Sequence, residues 1–493
     1  MKSLKIIYSR LMRVGEVQRQ SLISLIWQIT FTGIGFLSTM YFAQTVGAEI
    51  LGTYFLFLSY FGVISLFSDG GLGGAAVKKI SEGEEQNKYF TASFSIRVIL
   101  VIIITGILLL SRDYFVDFNS TGIFNWIIVA LFVSSAYNLI QNGIAGSNKM
   151  GVFATINFIK NISCVLIQIA AVYAGYEARG LVGGFVAGML IASIIGLSFL
   201  NLRFARFELK NIVNLCSFSF WLFLTSSGVI IYANIDTIMI GYFLKNSDVG
   251  IYRVAFQFTT FAIIVTTELR GVLWPKVSRW GKNKDYSLIE KSLSKALTYS
   301  LMVSVPIIAG GILLGDKLLY FLYGAEFASG YLAFDILLMV QISNIFQYLL
   351  TSYLGALDHQ KDAFKVTAIT AIGNVILNAA LIPIFGIVGA SIATFVTMTL
   401  NALMARNRIS KIINIIIEYD SLKNILLSTV IMSFFVVTYR LIIPLSSIWL
   451  TLLPIVIGGL AYSLAILKID RNINNMLKTV VIQMNLQWPS WLQ

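Results

Sequence analysis

Long apolar runs follow one another along almost the whole chain, separated by short polar segments. Each run has at least the roughly 18 residues with which an α-helix crosses about 30 Å of hydrocarbon. None shows the alternation with a period of two that indicates the strands of a membrane barrel. The pattern therefore predicts fourteen membrane-spanning helices, at 20–43, 50–76, 89–111, 123–144, 151–173, 180–202, 213–240, 249–272, 292–314, 331–355, 362–384, 386–405, 424–443 and 446–468.

Composition supports an all-α polytopic membrane protein. Hydrophobic residues make up 57 % of the chain and charged residues 12 %, whereas about a quarter of the residues of a soluble domain are charged. The first apolar run is too long for the core of a cleavable signal, so we expect it to remain as a helix. Cys164 and Cys216 both lie in apolar spans, where a disulfide is not expected.

Lysine and arginine are distributed unevenly over the predicted loops. Of the 36 such residues, 27 lie in the N-terminal segment and in alternate loops, while the opposite loops carry five. The positive-inside rule then places both termini in the cytoplasm, with the protein in the cell (cytoplasmic or inner) membrane. The net charge of +13 is thus explained by an anionic membrane surface, with no nucleic-acid partner. Two basic amphipathic segments, 276–297 and 468–484, are predicted to lie on that surface.

The chain also repeats itself internally. Residues 51–83 align with 249–281 at an offset of 198, and 179–188 align with 385–394 at an offset of 206. An even number of spans separates the copies, so the repeat is parallel, with a pseudo-twofold axis along the membrane normal. It predicts two six-helix lobes that enclose a cavity, followed by two further helices.

This repeat divides the chain into predicted domains. The basic N-terminus, the two lobes and their linker come first, and the last two helices with their preceding loop and an amphipathic cytoplasmic tail follow. The bounds are 1–19 for the N-terminus, 20–202 for the N-lobe, 203–212 for the linker, 213–405 for the C-lobe, 406–468 for the last two helices and 469–493 for the tail.

Four segments occur in order along the first twelve spans: "ILGTYFLFLSYFGVISLFSDGGLGGAAVKKIS", "NIDTIMIGYFLKNSDVGIYRVAF", "LYGAEF" and "LGALDHQKDAFKVTAITAIGNVILNAALIPIFGIVGASIATFV". Together they resemble the polysaccharide-biosynthesis flippases of the Wzx or O-antigen type. That family belongs to the MOP superfamily, which includes the MATE drug exporters and the lipid II flippases. The resemblance implies alternating access and export of a polyprenyl-diphosphate-linked oligosaccharide, with membrane lipids and polysaccharide polymerase machinery as partners.

Ionisable residues inside the predicted spans are the main candidates for a binding site. A charge at the centre of a membrane helix costs about 2.5 to 3.5 kcal/mol, so such residues usually face a wet cavity or a partner. Arg97, Lys160 and Arg270 could neutralise the two or so negative charges of a lipid diphosphate. Snorkelling to the interface is the alternative, above all for Arg270. Asn157, Asn161, Cys164 and Gln168 accompany Lys160 on one polar stripe.

Carboxylates within the spans are fewer. Asp69 is expected to cap or pack at a helix break, and Glu268 to pair with the Arg270 region or a neighbouring helix. Asp236 aligns with Ser38 at the repeat offset, so it belongs to one lobe alone. We expect Asp236 to face the cavity and either to pair with Arg253 or to titrate during transport.

Uncharged polar residues form stripes on two other spans. Gln341 and Asn344 lie three residues apart, and Asn374 and Asn378 four apart. Each stripe either lines the cavity or joins helices by hydrogen bonds.

Three function classes fit these features to different degrees. A flippase needs no covalent chemistry or cofactor, and either the membrane potential or antiport of H⁺ or Na⁺ could drive it. An ion-coupled drug or metabolite exporter predicts an acid-lined cavity, whereas these buried charges lean basic. A glycan polymerase or ligase predicts a large outer loop with clustered catalytic residues, and the predicted loops are short. The sequence therefore favours a flippase and not an enzyme.

Overall fold

A computed structural model describes residues 16–114, 122–475 and 478. The predicted basic N-terminus falls almost entirely outside these residues, as does most of the predicted tail at 469–493. Regular structure in the described part is helical, with two short 3₁₀ turns at Arg112–Tyr114 and Thr260–Ile263. The α-helices are α1 (Glu16–Asp69), α2 (Leu72–Ser81), α3 (Gln86–Leu110), α4 (Phe124–Gly146), α5 (Met150–Tyr173), α6 (Glu177–Leu197), α7 (Leu209–Phe243), α8 (Asn246–Thr259), α9 (Ile264–Asn283), α10 (Tyr286–Tyr323), α11 (Ala325–Ala328), α12 (Tyr331–Ala356), α13 (Gln360–Ile409), α14 (Tyr419–Ile442) and α15 (Ile448–Ile469).

The all-α membrane fold is confirmed, whereas the predicted count of fourteen spans is not. Within the described residues, 11 helices are long and apolar enough to cross a membrane, or up to 12 if the bent helix α7 is one span. The difference arises because α1 and α13 each run through two predicted spans. Both carry a glycine outside helical geometry, Gly47 at φ 76° and Gly386 at φ 60°. Only glycine adopts such a φ readily, so each of these helices is kinked at the predicted boundary.

One predicted span is shorter than its apolar run. The span predicted at 50–76 breaks where α1 ends, and α2 then begins at Leu72. Gly70 and Gly71 lie between them at φ 55° and 77°. Hydropathy continues across this stretch, but two successive left-handed residues cannot belong to a right-handed helix.

The chain forms two compact units, Met1–Ile238 and Met239–Gln493. In the first unit, a hydrophobic cluster joins α2, α3, α4 and the start of α7. Gly146 of α4 packs so closely on α2 that an added Cβ would lie 2.7 Å from Ile80. The buried members of the cluster are Ala75, Ala76, Ile80, Tyr89, Phe90, Ala92, Leu139 and Leu215. The predicted bounds of the lobes stay a prediction.

Aromatic rings fill part of the core of the second unit. The Phe258 ring centre lies 5.5 Å from that of Phe334 and 6.1 Å from that of Tyr323. The last two helices attach to α10. From α15, the Tyr462 hydroxyl donates to the Met302 carbonyl at 2.6 Å; from α14, Arg440 pairs with Asp316 at 2.9 Å.

The connection from α6 to α7 lies across the first turns of α3. The amide N–H of Arg203 donates to Asn87 Oδ1, and that of Ala205 donates to Thr91 Oγ1, both at 2.9 Å. We call residues 198–208 the first strap. Side chains of α3 therefore satisfy backbone groups that a free loop would leave to water.

The connection from α13 to α14 makes the equivalent contact in the second unit. The amide N–H of Asn414 donates to Glu290 Oε1 of α10 at 2.7 Å. Glu418 accepts longer hydrogen bonds from Ser294 and Thr298 of α10, at 3.4 Å each. We call residues 410–418 the second strap. Each strap follows the sixth span of a predicted repeat and docks on the third, so the internal repeat extends to these connections.

Candidate functional site

Arg97 is a buried cation whose charge is neutralised. It lies in α3 with 3 % of its surface exposed, and its Nη2 donates to Asp69 Oδ1. Asp69 ends α1, and its other oxygen accepts the N–H of Gly73 at 3.2 Å. Asp69 therefore spans the break between α1 and α2, as the sequence predicts. Because this carboxylate already compensates Arg97, the guanidinium is a weaker counter-charge for a ligand than its burial suggests.

Lys160 of α5 is surrounded by uncharged polar groups. Its ammonium lies 5.7 Å from the centre of the Tyr137 ring, on α4. The Tyr137 hydroxyl donates to Asn157 Oδ1 at 2.6 Å and accepts from Gln141 Nε2 at 2.7 Å. Across the described ranges, no carboxylate lies within ion-pair distance of Lys160. This cation is thus available to an anion in a way that Arg97 is not.

Close packing of α6 fixes the backbone of α5 around Lys160. A Cβ added at Gly188 would lie 2.7 Å from the Lys160 carbonyl oxygen, and one at Gly184 would lie 2.5 Å from Gln168 Cγ. Gln168 is buried and donates to the Tyr54 hydroxyl at 2.9 Å and to the Leu181 carbonyl at 2.7 Å. Small residues at helix contacts allow this approach. The predicted polar stripe thus serves two purposes, since Gln168 joins helices while Asn157 lies in the network beside Lys160.

Asn161 follows Lys160 directly and is half-buried. Tyr137, Gln141 and Tyr54 were not among the predicted site residues. The spacing of Tyr137 and Gln141, four apart on one helix face, is the signal that could have indicated them.

Arg270 and Glu268 lie on α9, and both are exposed. The Arg270 guanidinium lies 5.7 Å from the centre of the Tyr348 ring of α12. In the part of the chain that the structure describes, no ion pair joins Arg270 to Glu268. Residues two apart on a helix do not face each other. The structure therefore associates Arg270 with an aromatic ring.

Asp236 and Arg253 fall in different compact units. Asp236 of α7 is 8 % exposed, in keeping with a charge held inside the protein. Arg253 of α8 is half-buried, with its guanidinium 5.7 Å from the centre of the Phe256 ring. Their pairing stays a prediction.

The uncharged stripes join helices within the second unit. Gln341 and Asn344 of α12 are both buried, and Gln341 Nε2 donates to Thr259 of α8 at 2.9 Å while Asn344 Nδ2 donates to Gln341 Oε1 at 3.0 Å. On α13, Asn378 donates to Asn374 at 3.0 Å, and Asn401 donates to Thr370 at 2.8 Å across the kink. Gln341 thus joins α12 to α8 and Asn401 joins the two halves of α13, whereas the other two bonds lie within one helix. That these stripes also line a cavity stays a prediction.

The chemistry on offer at these positions is electrostatic and hydrogen-bonding. Among the described residues, no group of three or more His, Cys, Asp or Glu side chains could hold a metal ion. The strongest feature for a ligand is Lys160 with its neighbours; the same unit also holds the neutralised Arg97–Asp69 pair.

The fold and these buried charges define a multi-pass membrane protein with the architecture of a transporter. The family model described as polysaccharide biosynthesis protein matches residues 17–280, and the MatE model matches 222–384. The chain belongs to the polysaccharide biosynthesis protein family, as its sequence motifs predict.

Two similar proteins come from Haloferax volcanii. The probable low-salt glycan biosynthesis flippase Agl15 is 26 % identical over 448 residues, which cover 91 % of this chain and 95 % of that protein. The probable flippase AglR is 25 % identical over 472 residues, which cover 93 % and 97 % of the two chains.

Solved structures share the fold. The lipid II flippase MurJ, in an inward closed conformation, aligns with a TM-score of 0.75 at 16 % identity and covers 94 % of this chain and 100 % of its own. An inward-facing MATE family transporter of the MOP superfamily aligns with a TM-score of 0.64 at 14 % identity, covering 79 % of this chain and 98 % of its own. At this level of identity the likeness shows the fold alone.

Proposed function

We propose that this protein is a flippase that moves a polyprenyl-diphosphate-linked oligosaccharide from the cytoplasmic to the outer leaflet, by alternating access, for the assembly of a cell-surface polysaccharide. The observation that carries the proposal is the similarity, over more than nine-tenths of the chain, to two proteins named as probable flippases, one of glycan biosynthesis. Family membership and the MurJ-like fold agree with it.

Lys160 is the proposed contact for the diphosphate. A cation in a low-dielectric site attracts a phosphate more strongly than one in water, and charge-assisted hydrogen bonds are roughly twice as strong as neutral ones. Among the described residues, no carboxylate lies within ion-pair distance of Lys160. Beside it, Asn157, Tyr137 and Gln141 supply a hydrogen-bonding surface. Arg97 is the secondary candidate, because an anion there would compete with Asp69.

The membrane potential is the proposed driving force. Moving one charge through 100 mV is worth about 2.3 kcal/mol, so outward movement of a lipid diphosphate across an inside-negative membrane is favourable. Antiport of H⁺ or Na⁺ is the alternative drive, with Asp236 as the carboxylate that would titrate. The transport itself involves no covalent step and no cofactor.

The proposed setting follows from the loop charges. Both termini face the cytoplasm of a cell membrane, and the glycan unit is released on the outer side, where polysaccharide polymerase machinery would consume it. Membrane lipids surround the helices throughout.

An ion-coupled exporter of drugs or metabolites is the second candidate. The MatE model covers residues 222–384, and a MATE transporter shares the fold. Export of organic cations would be served by acid in the cavity, whereas Lys160 of the first unit is a half-buried cation with no carboxylate within ion-pair distance among the described residues. The positive charge of Lys160 therefore favours an anionic substrate.

Translocation in vesicles separates the two candidates. The full-length protein is reconstituted with a fluorescent polyprenyl-diphosphate glycan, and the fraction of fluorophore that a membrane-impermeant quencher reaches is followed over time. Protein-free vesicles give the background, and an organic cation is the comparison substrate. We expect protein-dependent movement of the glycan lipid. Transport of the cation with no movement of the glycan lipid would overturn the proposal.

A further inference from the structure

The first strap carries two arginines that remain open to a ligand. Arg203 and Arg206 are exposed, and in the described ranges neither makes an ion pair. The neighbouring Lys210, by contrast, lies 3.4 Å from Glu85 and 3.3 Å from Glu208. Carboxylates thus hold Lys210, whereas Arg203 and Arg206 have none within ion-pair distance among the described residues.

The backbone that carries these arginines is fixed. Asn87 and Thr91 hold the amide groups at 203 and 205. Lys88 bridges Glu85 and Glu208 at 2.8 and 3.2 Å, which ties the end of the strap to the start of α3. A surface held in this way presents its side chains in one arrangement, so a ligand need not order the loop.

The strap also lies at the level where α3 enters its apolar region. The Phe204 ring centre lies 5.7 Å from that of Phe90 and 5.3 Å from that of Phe94, in the first turns of α3. Further along, α3 exposes isoleucines at 99, 102 and 103, as a helix in contact with lipid does. Phe204 is 65 % exposed. An exposed aromatic ring beside arginines at this level is typical of the membrane–water interface.

We infer that the first strap is a binding surface for anionic lipid headgroups, in which Arg203 and Arg206 contact phosphates while Phe204 and Leu209 lie among the acyl chains. Leu209, at the start of α7, is 75 % exposed. Guanidinium groups bind phosphate through paired N–H donors, and a negative leaflet attracts basic residues near its surface. The exposed apolar side chains of Phe204 and Leu209, close in sequence to these cations, favour a lipid surface over a soluble acidic protein. The surface shares no residue with the proposed transport site at Lys160.

The test compares lipid-dependent stability of the full-length protein. Unfolding temperature is measured in mixed micelles titrated with phosphatidylglycerol, with phosphatidylcholine or with a soluble acidic peptide, for the wild type and for the double variant R203Q/R206Q. The control K361Q/K365Q removes the same charge from two exposed lysines of α13. We expect phosphatidylglycerol to raise the unfolding temperature of the wild type and the control, and the double variant to lose most of this rise.

Two results would overturn the inference. One is an equal phosphatidylglycerol-dependent rise in all three proteins; the other is a rise produced by an acidic peptide and not by the lipid. R203K/R206K keeps the charge and guards against misfolding of the glutamine variant. Because lysine binds phosphate through a single point charge, it should retain an intermediate rise. If phosphatidylglycerol raised the unfolding temperature of R203K/R206K as much as that of the wild type, the guanidinium contacts would be excluded.

Discussion

The guanidinium of buried Arg97 and the carboxylate of half-buried Asp69 form an ion pair that joins α3 to the end of α1. The same carboxylate accepts the N–H of Gly73, beyond the glycine break. One side chain therefore neutralises a cation inside the membrane and holds the start of α2. The pair thus links the glycine break between α1 and α2 to the neutralisation of Arg97.

Removing Asp69 should destabilise the protein more than removing Arg97. The Arg97 side chain is 4 % exposed and that of Asp69 is 32 % exposed, so water can solvate an unpaired Asp69 better than an unpaired Arg97. Breaking a buried pair by removing one partner costs about 3 to 5 kcal/mol. We expect Asp69→Asn to approach this cost, Arg97→Met to cost less, and the double variant to lie near Arg97→Met. Thermal unfolding in detergent measures the order, and equal, additive costs would contradict the account.

Lys160→Met should abolish transport while leaving the fold intact. The substitution removes the proposed contact for the diphosphate. It breaks no ion pair among the described residues, and it removes the cost of a half-buried charge. Initial rates of glycan-lipid translocation and the unfolding temperature are measured together. Lys149→Met is the control, since Lys149 is half-buried like Lys160 but donates to the Phe199 carbonyl. A wild-type rate in Lys160→Met would exclude this residue from the substrate site.

The contact of α6 with α5 should not tolerate a single added methyl group. In Gly188→Ala the new Cβ would lie 2.7 Å from the Lys160 carbonyl oxygen and 2.9 Å from Cys164 Cβ. Overpacking of this kind costs about 1 to 3 kcal/mol. The control is Gly106→Ala in α3, where no atom lies within 4 Å, and alanine there should stabilise by up to about 1 kcal/mol. Unfolding measurements that show the two variants to be equally stable would exclude tight packing at Gly188.

The attachment of the first strap to the start of α3 should depend on pH. The hydrogen bonds from Lys88 and Asn211 lower the pKa of Glu85 to about 2, below the value of about 4.3 for a free glutamate. Because the ionised Glu85 carboxylate helps to hold the strap on α3, its lowered pKa stabilises this attached state at pH values above the pKa of a free glutamate. The contribution is lost as the pH falls through about 2. Hydrogen exchange at the amides of Arg203 and Ala205, corrected for intrinsic rates, should therefore quicken between pH 4.5 and 2.

Glu85→Gln should produce the same quickening at neutral pH. Glu82→Gln is the matched control, because Glu82 pairs with Lys79 on α2 and not with the strap. Exchange that is unchanged in Glu85→Gln, or equally faster in both variants, would show that this ionic cluster does not hold the strap.

The sequence predicts the apolar helices well because hydropathy reports which residues can face lipid. It does not report backbone geometry. Gly47 and Gly386 kink α1 and α13 where the apolar pattern predicts a boundary between two spans, whereas Gly70 and Gly71 cut a predicted span short. At Gly70 and Gly71 a positive φ decides the structure, and the apolar pattern does not show it.

The contacts of the candidate site also fall into those that the sequence predicts and those that it does not. Pairs on one helix face, such as Gln341 with Asn344, can be found from spacing alone. The pairing of Arg97 with Asp69 depends on how α1 and α3 pack, and so does that of Asn157 with Tyr137 on α5 and α4. The sequence identifies the buried charges, but packing decides which charge is already neutralised.

The central claim is that an anionic lipid-linked glycan is the substrate, and a comparison of headgroups tests it most directly. In vesicles that contain the wild-type protein, initial translocation rates are measured for one fluorescent glycan carried on polyprenyl diphosphate and on a matched neutral polyprenyl lipid. We predict that the diphosphate is moved at least about tenfold faster, which corresponds to about 1.4 kcal/mol. Equal rates, or faster movement of the neutral lipid, would contradict the account.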